Sequence, residues 1–355
     1  MNEVTDATQT DDQWSSEINQ IKLLQWMDQR GLESGPITNA ILLEGGTQNI
    51  LQKFDRGDRT FVLRRPPIKL RNNSNEAMLR EARVLAAIGD ANVPHPKFID
   101  AAEDDSAIGV AFYLMEFIDG FNPGNGLPEN LQNNIEAHKR MGYSWVEAIA
   151  NLGAIDYQAV GLEGFGKPEG YLERQTPRWL SQLESYQQFS QWPGVSGLPD
   201  VKRITDWLDN NRPSSFIPGI LHGDCHIANT MFDKNNGELL ALIDWELSTI
   251  GDPLLDLGWM MATLPDEDGR SLSVINMDQI TGLPNINDLV AHYKSLSERD
   301  LSHIEWYAVL ACFKLAVILE GTHARACGGK APKEVGNFLH QSAVELLEKA
   351  HHKIN

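Results

Sequence analysis

Hydrophobic spacing changes period several times within the first ninety residues, and each change marks an element. In 14–30, Trp14, Ile18, Ile21 and Leu24 recur three or four apart, which predicts one face of a helix. Residues 40–45, 49–54 and 60–64 (AILLEG, NILQKF, TFVLR) read as short strands, separated by the turns GGTQN and DRGDR. Pro66-Pro67 ends the third, because proline cannot donate to a strand ladder. Over 75–89 the period is helical again through Met78, Ala82, Leu85 and Ile88, with Gly89 closing the helix.

A strand region begins at VPHPKFIDAAED, and AIGVAFYLMEFIDG is a near-continuous apolar run. The Pro-, Gly- and Asn-rich stretch 121–134 reads as a connection to a second unit. Helical patterns dominate from about 135, apart from two strand-like bursts, IPGILHGD and ELLALIDW, flanking a hairpin turn at DKNNG. In 304–327, Trp306, Leu310 and Leu315 read as core. No repeat of 20–50 residues is apparent. The expectation is an α+β, two-lobed chain: a small β-rich lobe over 1–120 with an internal helix, then a larger, mainly helical lobe over 121–355.

Charge narrows the partners. With 30 Lys+Arg against 49 Asp+Glu, the formal net charge is −19, which disfavours nucleic acid and anionic lipid. The three cysteines (Cys225, Cys312, Cys327) form no CxxC, which argues against a disulfide framework and for a reducing compartment. The first residues carry neither a basic nor an apolar signal region. The late apolar run VLACFKLAVILEG is broken by Lys314 and is too short to span a bilayer. A soluble cytoplasmic protein that takes a small molecule, without nucleic acid or membrane, is expected; oligomeric state is left open.

The strongest local signal is LHGDCHIANTMF followed by LIDWELSTIGDPLLDLG. His222, Asp224 and Asn229 form H-x-D-x-x-x-x-N, the spacing of the protein-kinase catalytic loop. Phosphoryl transfer needs one carboxylate to accept a hydroxyl proton and hard oxygen ligands to hold Mg²⁺ against the phosphates of ATP. Five residues apart, Asp224 and Asn229 can be aimed at acceptor and metal, and Asp244 can supply the second metal ligand. Upstream, period-2 alternation in TFVLRR puts Val62 and Arg64 on one strand face, suited to adenine and phosphate. Glu81 on the next helix is the better partner for Arg64, with Glu76 as the alternative. The GGTQN turn, including Thr47, Gln48 and Asn49, could bring backbone N–H groups to phosphates or be a plain hairpin. Met115, Glu116 and Ile118 close an apolar strand that could present backbone groups to a purine.

In this order, these motifs make the chain resemble the aminoglycoside-phosphotransferase-like, or choline-kinase-like, kinases over roughly residues 38–330. GYLERQTPRW, IDWELSTIGDPLLDLGWM and FKLAVILEGTHARACGG look like the branch whose kinase-like domain is fused to acyl-CoA dehydrogenases. The resemblance implies a protein-kinase-like fold and ATP/Mg²⁺-dependent phosphorylation of a small-molecule hydroxyl. It implies Asp224 as base, Asn229 and Asp244 as magnesium ligands, and Arg64, paired with Glu81, on phosphate. It further implies Glu116 and Ile118 on adenine, His222 bracing the loop and Asp256 accepting loop amides. Arg64 stands where the wider family has lysine. The dehydrogenase-fused branch suggests a hydroxyacyl-CoA or hydroxy-acid acceptor, with an aminoglycoside as the alternative. Arg174, Gln175 and Arg178 could face an anionic substrate, the arginines sharing one helix face at i and i+4, and His226 could touch it too.

Two other classes remain in view. His222, Asp224 and His226, with Cys225 between, could ligate zinc in a hydrolase, although the remaining histidines are scattered along the chain. A non-catalytic nucleotide-binding module is the other, motivated by Arg64 and the irregular glycine turn.

Overall fold

In the computed structural model, residues 18–43, 49–68, 73–265, 272–273 and 279–355 are described. The first helix, α1 (Gln20–Gln29), is capped by Asn19, whose side chain accepts the Lys22 N–H. It buries Leu23, Trp26 and Met27 and exposes Ile21. Of the predicted face, Trp14 lies outside the described residues, Ile18 joins the core just ahead of the cap and Leu24 packs against it, while Ile21 is exposed because the helical count restarts at Asn19.

Strands β1 (Ile37–Leu43), β2 (Ile50–Arg56), β3 (Arg59–Arg65), β4 (Phe98–Ala102) and β5 (Phe112–Glu116) form one antiparallel sheet. Its order is β1-β2-β3-β5-β4, with α2 (Ser74–Ala87) inserted after β3. One face carries Phe54, Phe61, Leu63, Phe112 and Leu114 into a core with Trp26 and Met27. Phe54 stacks on Phe61 at 5.5 Å and Trp26 meets Phe112 edge-on at 4.8 Å. Because side chains alternate along β3, Val62 and Arg64 project to the opposite face. Helix α2 buries Met78, Ala82, Val84 and Leu85, and with them Glu81.

The chain divides into two compact units, one of residues 1–90 and 95–119, the other of 91–94 and 120–355. The second contains α3 (Ile135–Ala154), α4 (Gln175–Ser185), α5 (Val201–Asn210), α6 (Leu254–Thr263), α7 (Ile286–Leu296), α8 (Ile304–Cys327) and α9 (Lys333–Lys353). Helix α8 is buried along most of its length, Trp306, Leu310 and Leu315 included. It packs against α6 closely enough that a Cβ on Gly258 would stand 2.6 Å from the Tyr307 backbone, so only glycine fits there. The stretch 121–134 contains two 3₁₀ turns, and Phe121 bridges to Phe232.

Two short ladders carry the motif residues. Strand β6 (Gly219–Leu221) pairs with β9 (Thr249–Gly251), and β7 (Thr230–Phe232) pairs with β8 (Leu239–Leu242). This corrects the expected pairing: the DKNNG turn joins β7 to β8, while the IPGIL strand has a different partner. Among the described residues, no helix is long and apolar enough to cross a membrane.

Candidate active site

The loop between β6 and β7 holds His222, Asp224 and Asn229, and its shape is imposed from outside. Asp256, in the first turn of α6, accepts the backbone N–H of His222 at 2.6 Å and of Gly223 at 2.8 Å. Gly223 adopts φ +86°, and a Cβ there would come within 2.3 Å of the Leu247 carbonyl oxygen. The His222 ring is buried, donates from Nε2 to the Ile243 carbonyl (2.9 Å), and lies on Trp245 with centroids 4.8 Å apart. Cys225 is buried beneath the loop and accepts the Trp145 indole N–H at 3.2 Å. Burial pushes its thiol pKa well up, so it packs as an inert neutral group.

Within that frame, the Asn229 amide donates to Asp224 Oδ2 and to the Asp224 carbonyl, both at 3.0 Å. With its amide nitrogen so engaged, its side-chain oxygen is the donor that could hold a metal. The Ile243 N–H donates to the Asn229 carbonyl at 2.9 Å, which fixes Asp244 beside Asn229 at the paired ends of β7 and β8. Asp244 takes the left-handed conformation, φ 65°, ψ 67°, rare for a residue with a side chain. Sharp chain reversals of this kind are associated with functional sites.

Asp224 is half-buried, and His226 Nε2 lies 3.5 Å from its Oδ1. Burial pulls the carboxyl pKa up, but the His226 contact and the positive field of His226, His222 and Lys314 outweigh it. The net result is a carboxylate held down at about 2. Asp256 is more deeply buried, and its pKa is raised.

Lys314 is the functional candidate that sequence reasoning missed, having been read only as a break in an apolar run. From α8 its ammonium donates to the Gly223 carbonyl at 2.9 Å and lies 4.3 Å from the Trp259 ring centroid and 5.5 Å from that of Trp179. Burial depresses its pKa to about 8, against the pull of Asp224 and Asp256, while Arg178 adds to the depression. The available signal was a lone cation in the otherwise apolar stretch 306–317; a buried lysine needs a counter-charge.

In the sheet unit, Arg64 Nε meets Glu81 Oε2 at 3.0 Å, both side chains nearly sequestered from water. Met115 is buried, Glu116 exposed and Ile118 half-buried. The Glu116 N–H is bonded to the Lys97 carbonyl at 2.9 Å. Asn49 precedes β2, whereas Thr47 and Gln48 lie outside the described residues. Arg174 is the N-cap of α4: its carbonyl accepts the Arg178 N–H at 3.1 Å, while its guanidinium donates to the carbonyls of Lys167 and Glu169. Gln175 is buried and bonds the Tyr171 carbonyl, while Arg178 is exposed. Pro177 sits in the first helical turn, where proline is tolerated. The hydrolase alternative is not met, since His222 is committed to Ile243. Among the described residues, His222, Asp224 and His226 form no group able to share an ion.

A small antiparallel sheet with one inserted helix, followed by a helical unit bearing an HGD loop and a DWE turn, is the layout of phosphotransferases with a protein-kinase-like fold. The chain belongs to the phosphotransferase enzyme family, whose sequence profile matches residues 41–280. Mouse acyl-CoA dehydrogenase family member 10 is 28% identical over 308 residues, 84% of this chain. The chain spans only 27% of that protein. The crystal structure of a Ralstonia eutropha protein, provisionally described as an aminoglycoside phosphotransferase, aligns with TM-score 0.76 and 28% identity, covering 94% of this chain and 99% of that one. A thermostable mutant of an aminoglycoside phosphotransferase, in ternary complex with AMP-PNP and hygromycin B, shares the fold at TM-score 0.57 and 14% identity, covering 90% and 98%.

Proposed function

We propose that the chain transfers the γ-phosphoryl group of ATP to a hydroxyl of a small anionic metabolite, a hydroxy acid or hydroxyacyl thioester. The carrying observation is Asp224, bonded to Asn229 on a loop braced by Asp256 and by a buried Lys314. Asp224 orients the acceptor hydroxyl and takes its proton as the oxygen–phosphorus bond forms and the bond to the departing ADP breaks. A carboxylate with a pKa of about 2 is a weak base, which suits a loose transition state in which the proton leaves late. The Asn229 amide oxygen and the Asp244 carboxylate are hard oxygen donors of the kind Mg²⁺ takes. Magnesium bound there would neutralise phosphate charge. Arg64, held by Glu81, would grip phosphate bidentately, and the Glu116 carbonyl would meet adenine.

The anionic acceptor is favoured by Lys314, a buried ammonium whose single described hydrogen bond goes to Gly223, with exposed Arg178 in its field. The relationship to the dehydrogenase-linked proteins points the same way. Purified protein with ATP and Mg²⁺ should phosphorylate a hydroxy acid or hydroxyacyl-CoA in a panel that includes choline, sugars and an aminoglycoside. Transfer to the aminoglycoside alone would overturn the anionic assignment. Unchanged transfer in Asp224→Asn would overturn the base, and nucleotide binding without transfer to any acceptor would favour a non-catalytic module.

A further inference from the structure

Away from the catalytic loop, the last turns of α8 meet α9 around a second group of ligand-type side chains. Glu320 and His323 stand three apart on α8, and His340 faces them from α9. Glu320 Oε1 is 2.9 Å from His323 Nδ1, and Oε2 is 2.7 Å from His340 Nδ1. The two imidazole centroids are 4.3 Å apart, and one ligand atom from each of the three residues falls within a 4.8 Å span. Ligands bonded to a common zinc ion at about 2.0–2.2 Å stand at most about 4.4 Å apart, so small side-chain rotations would seat one.

The surroundings are those of a metal site rather than of an ordinary ion pair. The Glu320 side chain is only 1% exposed, and among the described residues no lysine or arginine pairs with it. Both α8 ligands have outer partners of the kind that orient metal ligands. The Trp192 indole N–H donates to Glu320 Oε1 at 2.6 Å, and His323 Nε2 lies 3.4 Å from Cys327 Sγ. In this ion-free geometry His323 Nδ1–H donates to Glu320 Oε1 and Nε2 accepts from the Cys327 thiol; an ion bound at Nδ1 would require the other tautomer, with Nε2–H turned toward Cys327 Sγ. His340, 30% exposed, gives a route in from solvent.

We propose that Glu320, His323 and His340 bind a first-row divalent transition metal, zinc foremost, which staples α8 to α9. Two imidazoles and one carboxylate suit zinc, and they are softer than the all-oxygen set that Mg²⁺ takes. The test uses untagged full-length protein, stripped with chelator, then titrated with Zn²⁺ and separately with Co²⁺. One zinc per chain should survive gel filtration, and Co²⁺ should give visible ligand-field bands that saturate at one equivalent. His323→Ala and His340→Ala should each weaken zinc at least ~100-fold, beyond the loss typical of an outer-shell partner. His340→Gln, checked for native circular dichroism, guards against misfolding as the cause. Asp244→Ala should keep its zinc, separating this site from the proposed magnesium site. Absence of stoichiometric zinc and cobalt, or equal retention in the histidine variants, would overturn the proposal and leave a hydrogen-bonded carboxylate–histidine cluster.

Discussion

Asp224 and Glu320 both belong to the helical unit, and both are carboxylates beside histidines, yet their surroundings differ in kind. Asp224 lies on a loop whose backbone is gripped by Asp256, and its side chain, 23% exposed, meets one amide and one imidazole. Glu320 sits inside a helix, 1% exposed, with an indole and two imidazoles around its two oxygens. A carboxylate with spare acceptor capacity and a positive field is poised for an incoming hydroxyl; one ringed by ligand-type nitrogens is not. Residue type alone does not separate the two. What separates them is which groups hold the backbone and which occupy the oxygens.

The largest expected difference is in turnover. Asp224→Asn should lower kcat by about 10²–10⁴ in steady-state ATP turnover, as expected for removing a proton acceptor, whereas Glu320→Gln should leave kcat within about threefold. Comparable losses in both would erase the distinction. Asp244→Ala should abolish turnover at ordinary magnesium and recover partly as magnesium is raised, if it is a ligand.

Lys314→Met should come next, with kcat/KM for an anionic acceptor down about 10–100-fold, in line with losing a charged hydrogen bond, and KM for ATP little changed. Its pH signature has a definite sign. Below about pH 8 the ammonium is charged, and it is lost as pH rises through that value, so acceptor kcat/KM should fall on the alkaline side. Lys314→Arg, charged throughout, should remove that limb. For stability the sign is opposite: between about 8 and the unfolded value of 10.5 the unfolded chain binds more protons, so this group's contribution to folding rises with pH.

The smallest expected effect is in nucleotide binding. Arg64→Ala should raise KM for ATP about tenfold with kcat less affected, as for loss of one charge-assisted contact. Glu81→Gln should follow it in the same direction, because it removes the carboxylate charge that Arg64 Nε meets at 3.0 Å. An unchanged KM in both would detach the pair from phosphate.

Much of this was legible along the chain. Periodicity located the three early strands, the Glu81 helix and the β7–β8 turn, and the alternation in TFVLRR placed Arg64 opposite Phe61 and Leu63. The HGD-to-Asn spacing and the DWE turn marked the loop proposed to be catalytic, because such chemistry constrains residues that are close in sequence. It failed where the constraint was not local. Ile21 was misplaced on the buried face of α1 because a cap at Asn19 resets the helical count, and the pairing of β6 depended on a strand thirty residues away. Lys314 and the Glu320–His323–His340 group were unreadable because their meaning lies in what α8 packs against. Sequence by itself determined the order of elements, the family and the residue types of the HGD loop, all set by short-range spacing and backbone chemistry. Tertiary structure alone decided which charges are buried together, because desolvation and counter-charge depend on neighbours that only folding brings into contact.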